Sequence, residues 1–193
     1  MEADKGYETD IESTQDRRKY KRRLFVGEGN FTYTKALLEK HKDKPGLGRA
    51  ITATTKATKQ ETHALDDAGV VEKTLTFIKD SESVVLFKID ATELTANFRK
   101  GDFKRIHWNF PFADSSSGKA TQAVIKNFFK SAAEIQETGN RLHLTASLKN
   151  ESKEMVGYYI GQIYNVMLSA AKSGYRLLAK RKFSNRRYPG YTH

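Results

Sequence analysis

Leu24-Phe25-Val26-Gly27-Glu28-Gly29-Asn30-Phe31 joins a short apolar run to a glycine turn. Three consecutive apolar residues stopped at once by a Gly-Glu-Gly turn read as a short strand buried on both faces. Asn30 can then serve as the N-cap of a helix running from Phe31 to His41. A strand passing through a glycine turn into a helix is the opening of a βαβ unit. Outward from it, Ala50 to Thr54 is a second short strand, and Thr62 to Thr76 is partly helical with an interruption at Gly69. The run Ser83-Val84-Val85-Leu86-Phe87-Lys88-Ile89 is the clearest strand, ended by Asp90-Ala91-Thr92. Arg105 to Asn109 is a strand ended by Pro111. The spacing of Val124, Ile125, Phe128, Phe129, Ala132 and Ile135 predicts a helix over about Ala120 to Gln136. Arg141 to Leu148 reads as a strand, Met155 to Lys172 as a long helix stopped by Gly174, and Tyr175 to Phe183 as a final strand.

This alternation predicts an α/β fold: an open, mostly parallel twisted sheet of Rossmann-like type with helices on both faces. In such sheets ligands bind outside the carboxyl ends of the strands, near the point where strand order reverses. The candidate loops are therefore 27–31, 54–58, 90–94 and 109–118.

The chain has 193 residues and no cysteine, so one domain is expected and disulfides, thiolate metal sites and a cysteine nucleophile are excluded. No stretch approaches the roughly 18 apolar residues of a membrane span, and the N-terminus lacks the order of a signal peptide. The expectation is a soluble protein of the cytoplasm, or of the nucleus or nucleolus in a eukaryote. The net charge of +11 is uneven: residues 1–16 sum to −5, residues 17–23 to +6, and residues 172–193 to +7 with no acid. Residues 1–23 are expected to be a disordered acidic leader and basic segment, with a single domain over 24–193. Basic segments at both ends suit a polyanion, and equally suit a solvated surface or, for residues 17–23, a localisation signal.

Within the candidate loops, Gly27-Glu28-Gly29-Asn30 lets backbone approach a ligand at a helix N-terminus, although the same glycines also serve a plain tight turn. Asp90 can accept hydrogen bonds from a nucleoside, or cap its own turn. In Asn109-Phe110-Pro111-Phe112 an amide can bond the edge of a flat base and an aromatic ring can stack on its face; the other reading is a rigid turn with two core aromatics. Asp114 and Ser115-Ser116-Ser117-Gly118 follow in a polar loop. His107 and His143 have no zinc-like spacing and read as buried, hydrogen-bonded histidines. With no Walker lysine loop, serine elbow or glycosidase carboxylate pair, the residues favour a nucleoside-containing cosubstrate.

Several segments together resemble the large-subunit rRNA (uridine-N(3))-methyltransferase-like domain family. They are residues 24–33, Ile51-Thr52-Ala53-Thr54-Thr55, Asp90-Ala91-Thr92-Glu93-Leu94, residues 103–111, and Arg187-Tyr188-Pro189-Gly190-Tyr191-Thr192-His193. The resemblance implies a class I methyltransferase that uses S-adenosylmethionine and no metal, acting on RNA and most simply on a uridine of ribosomal RNA. It implies a cosubstrate cradled by Gly27, Glu28, Gly29, Asn30 and Phe31 with Asp90 near the adenine, and Thr54 and Ala91 are further candidates for that site. It places Asn109-Phe110-Pro111 beside the transferred methyl, and Asn109, Pro111, Phe112 and Asp114 are the candidate catalytic residues. Two features depart from the family pattern: no acid stands in Thr55–Lys59, and Phe112 takes the place of a usual His. These motivate a rival, an RNA-binding or regulatory protein that keeps the fold without catalysis. A third reading changes the substrate to a protein or small molecule. A uridine imide must lose its proton before attack, and Asp114 and His107 are the candidate bases. For RNA contact the residues are Lys180, Arg181, Lys182, Arg186, Arg187 and Tyr188. A final strand running parallel would carry Arg186 and Arg187 to the carboxyl-end side, where they should matter more than Arg17 and Arg18.

Overall fold

The computed structural model describes residues 20–64, 69–111, 118–146 and 165–192. Five strands form one sheet: β1 (Arg23–Val26), β2 (Ile51–Thr54), β3 (Val84–Leu86), β4 (Arg105–Asn109) and β5 (Arg141–Thr145). All are parallel, in the spatial order β3-β2-β1-β4-β5. The order reverses between β1 and β4, so the crevice of a doubly wound sheet opens above the carboxyl ends of these two strands.

The pleat divides the core in two. Leu24 and Val26 of β1 pack with Ile106 and Trp108 of β4 beneath Phe128, Ala132 and Ile135 of α4 (Gly118–Ile135). Phe25 faces the other way, with Ile51 and Ala53, against Tyr33, Leu37 and Leu38 of α1 (Thr32–Lys40) and Ile78 of α3 (Val70–Asp80). A strand buried on both sides reads as a continuous apolar run, which is why Leu24-Phe25-Val26 was legible. The short helix α2 (Lys59–Ala64) lies between β2 and α3.

Several elements differ from their sequence reading. Helix α1 begins at Thr32, and its N-cap position belongs to Phe31 in a left-handed conformation. Asn30 still satisfies a helix-end donor from one position further out, its Oδ1 accepting from the Thr32 amide at 3.2 Å and the Thr32 hydroxyl at 2.7 Å. The region 62–76 divides into α2 and α3, with left-handed Gly69 as the break. The strand expected over 83–89 is short because Lys88 turns to positive φ; its amide bonds Ala57 O and that of Ile89 bonds Thr55 O, so the chain knits to the β2 loop. The final strand, 175–183, is absent. Those residues pair with no strand, and Leu177 and Leu178 stand more than 60% exposed (62% and 63%). Residues 165–172 are helical and Gly174 ends the turn that follows; the rest of the expected helix lies outside the described residues. Among the described residues no helix is long and apolar enough to cross a membrane. The fold begins slightly earlier than expected: Tyr20 packs on the α1 side of the core, and Arg22 bonds Gly101 O and Asp102.

Candidate functional site at the strand-order reversal

The crevice is built from the loops leaving β1 and β4 and from the C-terminal segment. Each loop carries a non-glycine residue with positive φ, Phe31 at 60° and Phe110 at 52°, a conformation that costs an L-residue about 1–2 kcal/mol. Phe31 is fully buried against Phe87, so only its backbone faces the loop. The two glycines of the β1 loop have different reasons to be there. A Cβ on Gly27 would meet Trp108 Nε1 at 2.3 Å and φ is +65°, so this glycine is required by the protein's own packing. A Cβ on Gly29 would meet nothing within 4 Å. Gly29 is the place where the loop leaves room for something else.

Between them Glu28 turns inward. Its amide bonds Thr54 O at 2.9 Å, while its carboxyl is buried with neither oxygen hydrogen-bonded. Burial pushes this carboxyl up to about 7. The Thr34 hydroxyl and amide are near enough to oppose the rise, although neither carboxyl oxygen meets a donor in full hydrogen-bond geometry. The phenols of Tyr33 and Tyr191 also face Glu28. Burial is the main cause that raises both, Tyr191 to about 12, and the Glu28 charge adds to it.

Asn109 sits at the end of β4 on the Phe25 face. Its Oδ1 accepts from the Thr145 hydroxyl at 2.7 Å, and its amide bears on the Tyr33 hydroxyl, so its polar atoms are already engaged. Phe110 and Pro111 follow, half-buried; Phe112 and Asp114 lie outside the described residues. Above them the C-terminal segment makes an aromatic wall. Phe110 meets Phe183 edge-on at 5.3 Å and Tyr191 at 6.5 Å, and Tyr33 meets Tyr188 at 4.8 Å and Tyr191 at 5.4 Å. Thr192 latches the wall to the β1 loop: Asn30 Nδ2 donates to its Oγ1 at 3.0 Å, its own amide donates to the Thr32 hydroxyl at 3.2 Å, and its carbonyl, 3.1 Å from that hydroxyl, shares the one hydroxyl proton with Asn30 Oδ1. Sequence reasoning missed Tyr33, Phe183, Tyr191 and Thr192 as crevice residues. Nothing local marks them, because they meet the crevice across long stretches of chain, 160 and 162 positions for Thr192, and Phe183 reaches back to Phe110.

The remaining sequence candidates scatter. Thr54 is buried with its hydroxyl donating to Phe25 O, and Ala91 lies in the core under α4. Asp90 caps its own turn, accepting from the Thr92 amide at 2.8 Å and hydroxyl at 2.6 Å, and pairs with Lys56 at 3.1 Å. Its partial burial works to raise its pKa, but the bonds from Thr92 and Lys56 win and hold it below the ordinary value. His107 points to the Phe25 face, stacked on His143 with ring centroids 4.3 Å apart and planes 2° from parallel. Burial, then His143 and the arginines nearby, push it well below the ordinary histidine value, and its Nε2 has no partner. Neither histidine is the buried, hydrogen-bonded residue expected: His107 is half-buried with its Nε2 shielded and unbonded, because the two rings stack on each other instead of meeting polar partners. His143 stands on the open side of the pair, exposed.

The basic residues divide. Lys180, Arg181 and Lys182 are exposed and directly precede Phe183, whose ring meets Phe110. Arg186 and Arg187, with Pro189, instead line a cavity of ≈ 440 Å³ against Ala36, Glu39 and Lys40 of the second half of α1. They do not reach the carboxyl-end side, because the strand that was to carry them there does not form. Tyr188 is half-buried between Tyr33 and the Lys40 ammonium, 4.8 Å from its ring, and packs rather than facing solvent. A larger concavity of ≈ 720 Å³ lies between α4 and residues 165–173, away from the crevice loops, and contains none of these residues.

Sheet order, crevice position and helices on both faces define a Rossmann-like α/β protein of the methyltransferase class. The chain belongs to the BMT5-like family, described as rRNA (uridine-N3-)-methyltransferase BTM5-like, whose model matches residues 24–193. It is also similar to a mouse (Mus musculus) protein named ferredoxin-fold anticodon-binding domain-containing protein 1 homolog, at 29% identity over 128 residues. These residues make up 65% of this chain and 20% of the relative, so the match spans about a fifth of that protein.

Proposed function

We propose that the chain transfers a methyl group from S-adenosylmethionine to N3 of a uridine in ribosomal RNA, with the cosubstrate at the β1 and β4 loops. The observation that carries this reading is the pairing of Glu28, a buried carboxyl with no partner, with Gly29, whose Cβ direction is open. A buried unpaired carboxylate is costly, and a cationic ligand relieves that cost. The cosubstrate brings such charge in its ammonium and sulfonium groups and supplies the activated methyl. Glu28 would meet positive charge, the Gly29 backbone would allow close approach, and Tyr33 and Tyr191 would keep water from the carboxylate. Asp90, presented beside Lys56, would face the nucleoside end. The aromatic wall of Phe110, Phe183 and Tyr191 would close the crevice over the base, where stacking contributes about 1–3 kcal/mol. Asp114 would accept the imide proton, with His107 as the other candidate base.

The Lys56–Asp90 pair favours the second reading, an RNA-binding protein without catalysis, because it sets a cation beside the acid that should read the ribose or adenine. Two measurements separate the readings. Calorimetric titration with S-adenosylhomocysteine should show binding, and labelled methyl should pass from S-adenosylmethionine to bulk RNA. Binding without incorporation supports the second reading; no binding removes the cosubstrate from the proposal.

A further inference from the structure

Arg23, Arg105 and Arg141 open three neighbouring strands and stand in register, Arg23 opposite Arg105 and Arg105 opposite Arg141. Parallel strands in register align side chains of one parity, so all three arginines share the face of Phe25, His107 and His143, about 4.8 Å apart from strand to strand. Arg23 and Arg105 are half-buried, and each has its Nε buried without a hydrogen-bond partner; Arg141 is exposed. Among the described residues no carboxylate forms an ion pair with any of the three. Like charges directly opposite on adjacent strands repel. A guanidinium cannot escape by losing its proton, as a histidine can. The stacked His107 and His143 just above lie in this field: burial first holds both below the ordinary histidine value, followed for His107 by His143 and then Arg23 and Arg105, and for His143 by the three arginines. The row is a cationic site without its anion.

The positive surface continues beyond the row. His41, at the end of α1, is lowered by its own partial burial and then by Lys44, Lys40 and Arg23, with only Asp43 opposing. Lys40 in turn lines the cavity that holds Arg186 and Arg187, where the one acid, Glu39, is paired with Lys35 at 3.8 Å. A path of cations running from β5 across the sheet to the outer side of α1 suits an extended polyanion better than a single small ion. The forked guanidinium matches phosphate oxygens in pairs.

We infer that the arginine row of β1, β4 and β5 binds the sugar-phosphate backbone of RNA at the amino end of the sheet, as a second contact region separate from the crevice. The inference rests on the RNA reading proposed above. The row lies four residues along β4 from Asn109, about 13 Å. An RNA that reaches both sites must therefore extend past the modified base.

The test uses the full chain and a fluorescein-labelled mixed-sequence RNA of about 20 nucleotides, with affinity followed by polarisation as salt is raised. Arg105→Gln/Arg141→Gln should weaken binding on the order of tenfold at 0.1 M salt and reduce the slope of log affinity against log salt by about 1.4. It should leave S-adenosylhomocysteine affinity unchanged and the melting temperature equal or higher, since repulsion is relieved; a merely structural row would lower the melting temperature. Lys126→Gln/Lys130→Gln, on the opposite layer, is the control for charge alone and should change binding little. Equal losses in the two double variants, or none in the arginine variant, would overturn the inference. So would a finding that removal of residues 1–16 destabilises the wild type but not the arginine variant, which would make the acidic leader the occupant. Failure of the wild type to bind any RNA would instead overturn the RNA reading itself, and the row with it.

Discussion

The two ends of the β1–β4 pair carry opposite errors of electrostatic bookkeeping. At the carboxyl end Glu28 is a buried acid with no base; at the amino end Arg23 and Arg105 have buried guanidinium nitrogens with no acid. Both lie at positions where an apolar side chain would pack without electrostatic cost, so neither is explained by folding. The difference lies in how each group can respond. Glu28 can take up a proton and wait neutral in an aromatic setting, whereas the arginines stay charged and repel one another. A crevice of the first kind suits a small cationic ligand that comes and goes. A row of the second kind suits a polyanion that brings its own counter-charge.

The largest expected effect comes from blocking the crevice while leaving the row alone. Gly29→Trp should cut S-adenosylhomocysteine affinity on the order of a hundredfold or more, about 3 kcal/mol, with RNA affinity retained. Its melting temperature should stay near wild type, because the Cβ direction is open. Gly27→Ala provides the contrast: the contact with Trp108 and the positive φ should cost about 2–4 kcal/mol of stability. Unaltered cosubstrate binding in Gly29→Trp would mean the crevice is not the ligand site.

Next in size is the pH response of Glu28. Its folded pKa of about 7 lies above the ordinary value of 4.5, so the folded chain holds a proton that the unfolded chain has released. That stability is complete below about pH 4.5, declines as pH rises and is gone above about pH 7, amounting to about 3 kcal/mol. Glu28→Gln should therefore melt with the wild type at pH 4 and above it at pH 8. Affinity for S-adenosylhomocysteine should fall in the wild type as pH drops below 7 and be weak and flat with pH in the variant. Equal melting temperatures at pH 8 would show that the carboxyl is not the unpartnered group the structure describes.

These contrasts also show what the sequence could and could not reveal. Leu24-Phe25-Val26 and the glycine turn gave the fold because both signals are local: a run buried on two faces and a break. The strand expected over 175–183 does not form: its apolar residues Tyr175, Leu177, Leu178 and Phe183 read as a strand, yet no neighbouring edge takes them up, and strand preference reflects packing more than the backbone. Glu28 and Gly29 are legible as a loop, but what sets them apart from Gly27 is Trp108, far along the chain. Arg105 and Arg141 each began an expected strand; only the register aligns them with Arg23. A basic residue at the start of several parallel strands is a signal a sequence can hold, though it has meaning only once the strand order is known.

The smallest expected effects concern the basic C-terminus, whose exposed charges are each worth little alone. Lys180 and Lys182 precede Phe183, which closes on Phe110 above the crevice, while Arg186 and Arg187 stand beside Lys40 on the path that leads back to the arginine row. Neutralising either pair should weaken RNA binding severalfold and lower the salt slope by about 1.4. The two pairs should differ in their coupling. Charges that hold the same stretch of backbone are lost together, so Arg186→Gln/Arg187→Gln added to Arg105→Gln/Arg141→Gln should cost less than the sum of the two. Lys180→Gln/Lys182→Gln should add in full to the row variant and reduce methyl incorporation more than affinity, because it bears on how the base is presented. Full additivity of all three pairs would mean that RNA meets a diffuse positive surface rather than two separate regions.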